Sequence, residues 1–74
     1  MNIIIGTKEI LKAGKNLEKI IIAKNCPNEI REKLTTLNVK IEEFNGDEKE
    51  LGIKIGKPFP VAAVGYIKSD ENEN

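Results

Sequence analysis

The 74-residue sequence predicts a single α/β domain in which strands and helices alternate along the chain. Two short runs of β-branched and other apolar residues, 3–5 and 20–23, predict strands that are buried in a sheet. The segments between the strands place apolar residues three and four positions apart, which predicts amphipathic helices. The resulting order of elements is β-α-β-α-β-α-β.

The first strand ends at Gly6, and a short helix is expected to follow it. Thr7 is a good N-cap residue, so residues 8–13 are predicted to be helical. Gly14 then marks the end of this helix, because glycine is common just after the last helical turn.

The second strand, residues 20–23, is expected to lie in the centre of the sheet because it is apolar on both sides. A polar turn breaks it, and within this turn Asn25 can cap the next helix. Pro27 suits the first turn of that helix. Apolar residues at positions i, i+4 and i+7 predict an amphipathic helix over residues 28–37.

The second half of the chain contains two further strands and one helix. Residues 39–44 alternate in polarity and predict a strand with mixed faces, in which Glu42 and Glu43 point to opposite sides. Asp47 and Glu50 have the spacing of a capping box and predict a helix start. A proline-containing loop then leads into the last strand, residues 61–67.

Charge is distributed unevenly along a chain whose net charge is zero. Residues 1–40 carry eight basic and four acidic side chains, and residues 41–74 carry four basic and eight acidic ones. The two halves therefore have charges of +4 and −4. This pattern fits either two solvated faces or a basic surface for a polyanion, and charge alone favours the first interpretation.

The residue types argue against several kinds of catalytic or metal site. The chain has no histidine, so Ser–His and Cys–His nucleophile systems and His-ligated metals are excluded. Cys26 is the only cysteine, which rules out an internal disulfide, and it is interpreted as a small side chain at a strand end. Phosphate-binding Walker spacing, a membrane span and a secretory signal are also missing from the sequence. We therefore expect no enzyme and no cofactor, and the remaining classes are binding and assembly in an intracellular protein.

Three stretches of the chain resemble one known family. They are IIGTKEILKAGK, KIIIAKNCP and ELGIKIGKPFPVAAVGYI, and they occur in the expected order. The pattern resembles the ribosomal L30e and L7Ae proteins, which bind RNA kink-turns, and it is closer to the L30e type. The resemblance covers residues 3–67.

The resemblance implies an α-β-α sandwich with a four-stranded mixed sheet. In this family the RNA surface combines the first two strand–helix junctions with the loop before the last strand. For the loop 56–60 to join those junctions, the last strand must run antiparallel to the first. The family helix that precedes the first strand is missing, so one face of the sheet is expected to lack a covering helix.

The resemblance also implies which residues contact RNA. Lys8 and Glu9 stand where the family reads sheared G·A pairs, and Asn25 suits recognition of a base edge, although its alternative role is a helix cap. Phe59 would either stack on an unpaired base or fold onto the core. The expected RNA-binding residues are Gly6, Thr7, Lys8, Glu9, Lys12, Lys24, Asn25, Lys57 and Phe59.

The function implied is that of a non-catalytic RNA-binding protein that recognises a kink-turn or internal loop, in the large ribosomal subunit and the cytoplasm. Expected partners are RNA, other ribosomal proteins, or a second copy through the uncovered sheet face. The alternative is a protein-interaction or dimerisation module that keeps the fold with weak or no RNA binding. Residues 1–68 are expected to form the domain, and residues 69–74 a disordered acidic tail.

Overall fold

The computed structural model describes residues 3–68, and within them the order of elements is the predicted one. The elements are β1 (Ile3–Ile5), α1 (Thr7–Ala13), a 3-10 turn (Gly14–Asn16), β2 (Leu17–Ile22), α2 (Asn28–Thr35), β3 (Lys40–Glu43), α3 (Glu48–Lys54) and β4 (Ala63–Ile67). The predicted acidic tail, residues 69–74, lies outside the described residues.

The four strands form one mixed sheet in the order β1-β4-β2-β3. Strand β4 runs antiparallel to both of its neighbours, and β3 runs parallel to β2. The antiparallel pairing of the last strand with the first is confirmed, with Ile3 opposite Tyr66 and Ile5 opposite Val64. The prediction that the second strand is central is also confirmed, because β2 lies between β4 and β3.

Helices α1 and α2 cover one face of the sheet. Ile10 of α1 and Leu34 of α2 are completely buried there, against Ile20 and Ile22 of β2. Burial of four such side chains stabilises the fold by roughly 1.5–3 kcal/mol each relative to exposure. The larger of the two core clusters therefore lies on this side.

Helix α3 lies on the other face, so the expectation of a face without a covering helix is wrong. Leu51 of α3 is buried in a second cluster with Ala23 and Val64. The cover is incomplete, because Ile21 and Tyr66 on the same face are only partly buried. The helix reaches this face because it starts soon after β3 and turns its apolar stripe towards the sheet.

The two adjacent glutamates of β3 point to opposite sides, as predicted. Glu42 Oε1 lies 3.7 Å from Lys19 Nζ, whose ammonium group is 5.3 Å from the centre of the Tyr66 ring. Glu43 Oε2 instead lies 3.3 Å from Arg31 Nη2 of α2. These partly exposed ion pairs contribute at most about 1 kcal/mol each, and the separation excludes a paired-carboxylate site.

Predicted element boundaries shift by one to three residues: β2 spans Leu17–Ile22 instead of 20–23, and β3 spans Lys40–Glu43 instead of 39–44. Three further shifts have local reasons. The assignment of Thr7 as an N-cap is wrong: Gly6 is the cap, at φ 102° and ψ 134°, a conformation that glycine reaches without steric cost, and Thr7 is already helical. Helix α2 ends at Thr35, and the Thr36 hydroxyl donates to the Lys33 carbonyl at 2.6 Å. Strand β4 starts at Ala63, and two residues before it the N–H of Val61 donates to the Glu48 carbonyl of α3.

The capping box of α3 is confirmed. The backbone N–H of Glu50 donates to Asp47 Oδ1 at 2.9 Å, and the N–H of Asp47 donates to Glu50 Oε1 at 3.0 Å. Between residues 3 and 68, no helix has both the length and the apolar content needed to cross a bilayer.

Candidate functional site

Four turns of the chain meet at one edge of the sheet. Strands β1, β2 and β3 are mutually parallel, so the helix that follows each of them begins at the same edge, and β4 starts from this edge as well. We call this region the junction edge, and it comprises residues 6–9, 23–27, 44–48 and 60–62. The carboxyl ends of parallel strands are the usual place for ligands in α/β sheets.

Backbone and side-chain hydrogen bonds tie the second strand–helix junction to both of its neighbours. The N–H of Ala23 donates to the Ala62 carbonyl at 2.8 Å, and the N–H of Lys24 donates to the Gly46 carbonyl at 2.8 Å. Asn25 Oδ1 accepts from the N–H of Glu48 at 3.0 Å. The second junction, the β3–α3 turn and the loop before β4 therefore form one connected surface.

Asn25 does not cap α2, which is the role that its position in the sequence suggests. Pro27 occupies the cap position of α2, and no side chain there accepts a bond from the first amides of the helix. Asn25 instead satisfies the first amide of α3, 23 positions along the chain. Its side-chain carbonyl is thus engaged, which leaves the NH₂ group available as a donor.

The first strand–helix junction presents its polar side chains to solvent. Gly6, Lys8 and Glu9 are exposed, Thr7 is half-buried, and the N–H of Ile10 makes the first helical bond to the Gly6 carbonyl at 3.0 Å. No side chain caps α1, and within residues 3–68 neither Lys8 nor Glu9 takes part in an ion pair. One turn further along α1, Lys12 is also exposed.

Phe59 is 49% exposed, so the alternative in which it folds onto the core does not hold. The loop 57–61 runs back along α3: the N–H of Lys57 donates to the Gly52 carbonyl at 2.9 Å, and the N–H of Val61 donates to the Glu48 carbonyl at 3.0 Å. Lys57 therefore lies at the far end of α3, about 10 Å from the junction edge. Phe59 lies between the two ends of this loop.

Cys26 fits its interpretation as a small buried side chain. It is 6% exposed, and its Sγ lies 3.7 Å from the Pro27 carbonyl. Burial raises the pKa of the Cys26 thiol, against a smaller lowering effect of the Arg31 cation. The thiol is therefore held in its neutral, unreactive form.

The comparisons with known proteins agree with this geometry. The model of the ribosomal protein L7Ae/L30e/S12e/Gadd45 family matches residues 1–74. The chain belongs to this family. It is 47% identical to the large ribosomal subunit protein eL30 of Archaeoglobus fulgidus, over 86% of this chain and 77% of the relative. It is 34% identical to the eL30 protein of Methanosarcina mazei, over 96% of this chain and 71% of the relative.

Solved structures show the same fold at low sequence identity. A Bacillus halodurans protein of unknown function superposes with a TM-score of 0.76 and 16% identity, covering 90% of this chain and 72% of that protein. A 15.5 kD RNA binding protein of Giardia lamblia superposes with a TM-score of 0.71 and 22% identity, covering 97% of this chain and 65% of that protein. These matches show that the layered fold around a mixed sheet is shared with other solved proteins.

Sequence reasoning missed three residues of this L7Ae/L30e-family chain that lie beside Phe59. Ile53 is 68% exposed on α3, Lys49 lies one turn before it, and Gly52 contacts the loop. A signal was present, because Ile53 lies off the helix face shared by Leu51 and Ile55 and four positions after Lys49, which places an apolar side chain on a polar helix face.

Proposed function

We propose that this chain is a non-catalytic RNA-binding component of the large ribosomal subunit, and that it recognises a kink-turn or a similar internal loop. Membership of the family and the eL30 relatives support this assignment. A large-subunit ribosomal protein works in the cytoplasm, associated with ribosomal RNA and neighbouring ribosomal proteins. No catalytic group is needed for that role.

The observation that carries the proposal is the convergence of separate turns at the junction edge. The first junction, residues 6–9, follows β1, and the second, with Lys24 and Asn25, follows β2. Only β4 separates these two strands in the sheet. The start of β4 lies between them and brings the loop of Phe59 to the same side of the molecule. A folded RNA that bends between two helical stems can contact all three turns together.

Within the first junction, charge and backbone geometry suit a nucleic acid. Gly6 has no Cβ and lets a sugar–phosphate chain approach closely. The Glu9 carboxylate accepts from the amino or imino group of a guanine, and Lys8 donates to guanine O6 and N7 or to a phosphate. Thr7 adds a hydroxyl donor at the start of α1.

At the second junction, Asn25 acts as a donor. Because its carbonyl oxygen accepts from the N–H of Glu48, its NH₂ group is directed by α3 and can bond to an acceptor on a base edge. Lys24 is exposed beside it and contacts phosphate.

The remaining contacts lie further from the edge. Lys12 extends the basic surface along α1, and Phe59 stacks on an unpaired base with Lys57 near the adjoining phosphate. Phosphate contacts by four lysines, namely Lys8, Lys12, Lys24 and Lys57, correspond to a log–log salt dependence with a slope of about −3.

Binding of the purified chain to a kink-turn RNA, and to the same RNA with its G·A pairs disrupted, tests the proposal at two salt concentrations. We expect tight, salt-sensitive binding that requires the G·A pairs. Phe59→Ala is expected to weaken binding by about ten- to a hundredfold without changing the thermal unfolding midpoint, since a stacked base contributes ~1–3 kcal/mol.

Equal weak binding to both RNAs, or none, would contradict the proposal. The chain would then be better described as a protein-interaction module, and the partly covered sheet face near Tyr66 would be its first candidate surface. Measurement of molecular mass in solution would test whether that face pairs with a second copy.

A further inference from the structure

An open cleft with a volume of about 690 Å³ lies at the edge of the sheet opposite to the junction edge. Strand β4 ends at this edge, and so do helices α1 and α2. The loop 36–39 forms one side of the cleft, and its charged lining residues are Lys15, Glu18, Lys40 and Lys68. We call it the lysine cleft. Neither the core nor the expected RNA contacts account for its three lysines.

The charges of the lysine cleft do not balance within residues 3–68. Three lysines line it, against a single glutamate. Lys40 Nζ lies 3.4 Å from Glu42 Oε2, but the other oxygen of the same carboxylate lies 3.7 Å from Lys19 Nζ, so two lysines share one acid. Lys15 and Lys68 form no ion pair with any acidic side chain of the described residues. The cleft therefore presents a net positive charge to an anionic group.

The chain itself leaves the sheet inside this cleft. The N–H of Lys68 donates to the Asn16 carbonyl at 2.8 Å, which holds the end of β4 against the turn that carries Lys15. Lys68 is exposed and is the last of the described residues. The acidic tail, residues 69–74, follows it directly in the sequence. The tail has no basic side chain and three acidic ones, namely Asp70, Glu71 and Glu73.

Length and tethering favour the acidic tail over a separate ligand as the occupant of the cleft. An extended chain spans about 3.3 Å per residue, so a residue two positions beyond Lys68 lies within about 7 Å of it. Carboxylates tethered this closely have an effective concentration in the millimolar range, which a separate anion must exceed. A polyanion such as RNA would also be repelled by the three carboxylates of the tail.

We propose that the acidic tail lies across the lysine cleft and that its carboxylates neutralise the lysines there. The consequence for RNA rests on the RNA-binding function proposed above. Lysines at both edges of the sheet would let a phosphate backbone bind nonspecifically to either end of the molecule. With one edge neutralised, RNA is confined to the junction edge, where Lys8 and Lys24 are exposed. Exposed ion pairs are individually weak and screened by salt, so the contact of the tail is salt-sensitive.

The first test places a nitroxide on the tail of the full chain, through Asn72→Cys in a Cys26→Ala background, and records paramagnetic broadening of the backbone amide signals. We expect broadening at Asn38 and Lys40, which line the cleft. It should be lost at about 1 M salt, where the screening length falls to about 3 Å. Amides of the junction edge are the reference, because the length of β2, about 20 Å, separates them from the cleft.

Neutralising the tail separates the effect of its charge from that of its tether. In the double variant Asp70→Asn with Glu71→Gln, the broadening at Asn38 should fall to the level seen at high salt. The same variant should bind unstructured single-stranded RNA about three- to tenfold more tightly at low salt, with a salt slope steeper by about one, because lysines of the cleft become free for phosphate. Glu29→Gln with Glu32→Gln, exposed on α2 outside the cleft, changes the net charge equally and should give neither effect.

Lysine substitutions in the neutralised variant locate the gain. Lys15→Ala should remove most of the added affinity for single-stranded RNA, because Lys15 lines the cleft. Lys33→Ala, at an exposed site of α2 outside the cleft, should leave the added affinity as it is. In the parent chain Lys15→Ala should not change RNA binding, since the tail already occupies the cleft.

The outcomes separate this proposal from the RNA-binding function. Equal broadening with and without the charges of Asp70 and Glu71 would overturn the proposal, because the tether alone would then place the label near the cleft. Unchanged affinity of the neutralised variant for single-stranded RNA would overturn the confinement of RNA. A loss of RNA affinity in the parent on Lys15→Ala would show that RNA occupies the cleft instead of the tail. Absence of a kink-turn preference in the parent would contradict the RNA-binding function, while the broadening, which needs no RNA, would still decide where the tail lies.

Discussion

Helices α1 and α3 both begin at the junction edge, but only α3 is capped by side chains. At the start of α3, three side chains accept hydrogen bonds from backbone N–H groups. The Asp47 side chain accepts from Glu50, the Glu50 side chain from Asp47, and the Asn25 side chain from Glu48. The start of α1 follows Gly6, which has no side chain, and no side chain accepts from its first amides. The two helices have the same length, seven residues each, so the difference lies in the residues around their first turns.

This difference separates folding from binding. At the start of α3 the polar groups are used to complete the backbone hydrogen bonds of the helix, which stabilises the fold. At the start of α1 the polar side chains of Lys8 and Glu9 are exposed and serve no such purpose within the described residues. Substitution of Lys8 or Glu9 at the start of α1 should therefore change RNA binding, and substitution of the capping residue Asp47 before α3 should change stability.

The largest expected effect comes from Glu9→Ala. Loss of a carboxylate–guanine contact, worth ~1–3 kcal/mol, should weaken kink-turn binding by about ten- to a hundredfold. The free energy of unfolding should stay the same, because Glu9 is exposed. Glu18→Ala, at an exposed site at the opposite end of the sheet, is the control and should bind normally. Loss of stability in Glu9→Ala comparable to the loss of binding would contradict the separation.

Asn25 is expected to contribute both to stability and to RNA binding, and two substitutions separate these contributions. Asn25→Asp keeps an oxygen that accepts from the N–H of Glu48 but removes the NH₂ donor, so it should weaken RNA binding with little change in stability. Asn25→Ala removes both groups and should lower both quantities. Denaturant unfolding and RNA titration of the two variants measure this. If Asn25→Asp binds RNA like the parent, the donor role is wrong.

Asp47→Ala should act on stability alone. Loss of the cap is expected to lower the free energy of unfolding by about 1 kcal/mol, as measured by urea denaturation. The affinity for kink-turn RNA, measured where both proteins are fully folded, should not change. Thr7→Ala is the counterpart at α1, where no side-chain cap exists, and should alter stability by less than about 0.5 kcal/mol.

A smaller effect is expected from single lysines on α1. Lys12→Ala should reduce the slope of the salt dependence of RNA binding by about one. Lys15→Ala, an exposed site at the other end of the sheet, should leave the slope as it is. Equal changes in both variants would mean that net charge, and not the position of Lys12, determines the salt dependence.

The smallest effect concerns pH and Cys26. Burial raises the pKa of this thiol in the folded state, so the folded protein holds the proton more tightly than the unfolded chain. The resulting stabilisation is complete below the ordinary pKa of 9.0 and declines as the pH rises above it. The difference in unfolding free energy between the parent and Cys26→Ala should therefore fall at alkaline pH. Parallel pH profiles would contradict this expectation.

Much of the fold could be predicted because its signals are local. The strand predicted at 20–23, the capping box of Asp47 and Glu50, and the order of elements all depend on neighbouring residues. The structure confirms the capping box and the order, and it places the strand at Leu17–Ile22. The antiparallel last strand followed from the family pattern and is also confirmed. The RNA-contacting residues at the first two junctions remain predictions, and the structure places their backbone at one edge.

Contacts between distant parts of the chain could not be predicted from the sequence. The sequence suggested a cap for α2 at Asn25 because that helix is next along the chain, but β2 lies beside β3, so α3 begins nearer in space. The cover over the second sheet face depended in the same way on where the apolar stripe of α3 came to lie.

The sequence alone determined the elements of this protein and the family to which it belongs, because strand and helix periodicity, caps and turns depend on residues a few positions apart. Only the tertiary structure decided that the loop of Phe59 folds back on Gly52 and opens a groove at Ile53. That groove requires a loop carbonyl to lie directly against a helix backbone. No local preference encodes such a contact, since it exists only when both segments are packed on the same sheet.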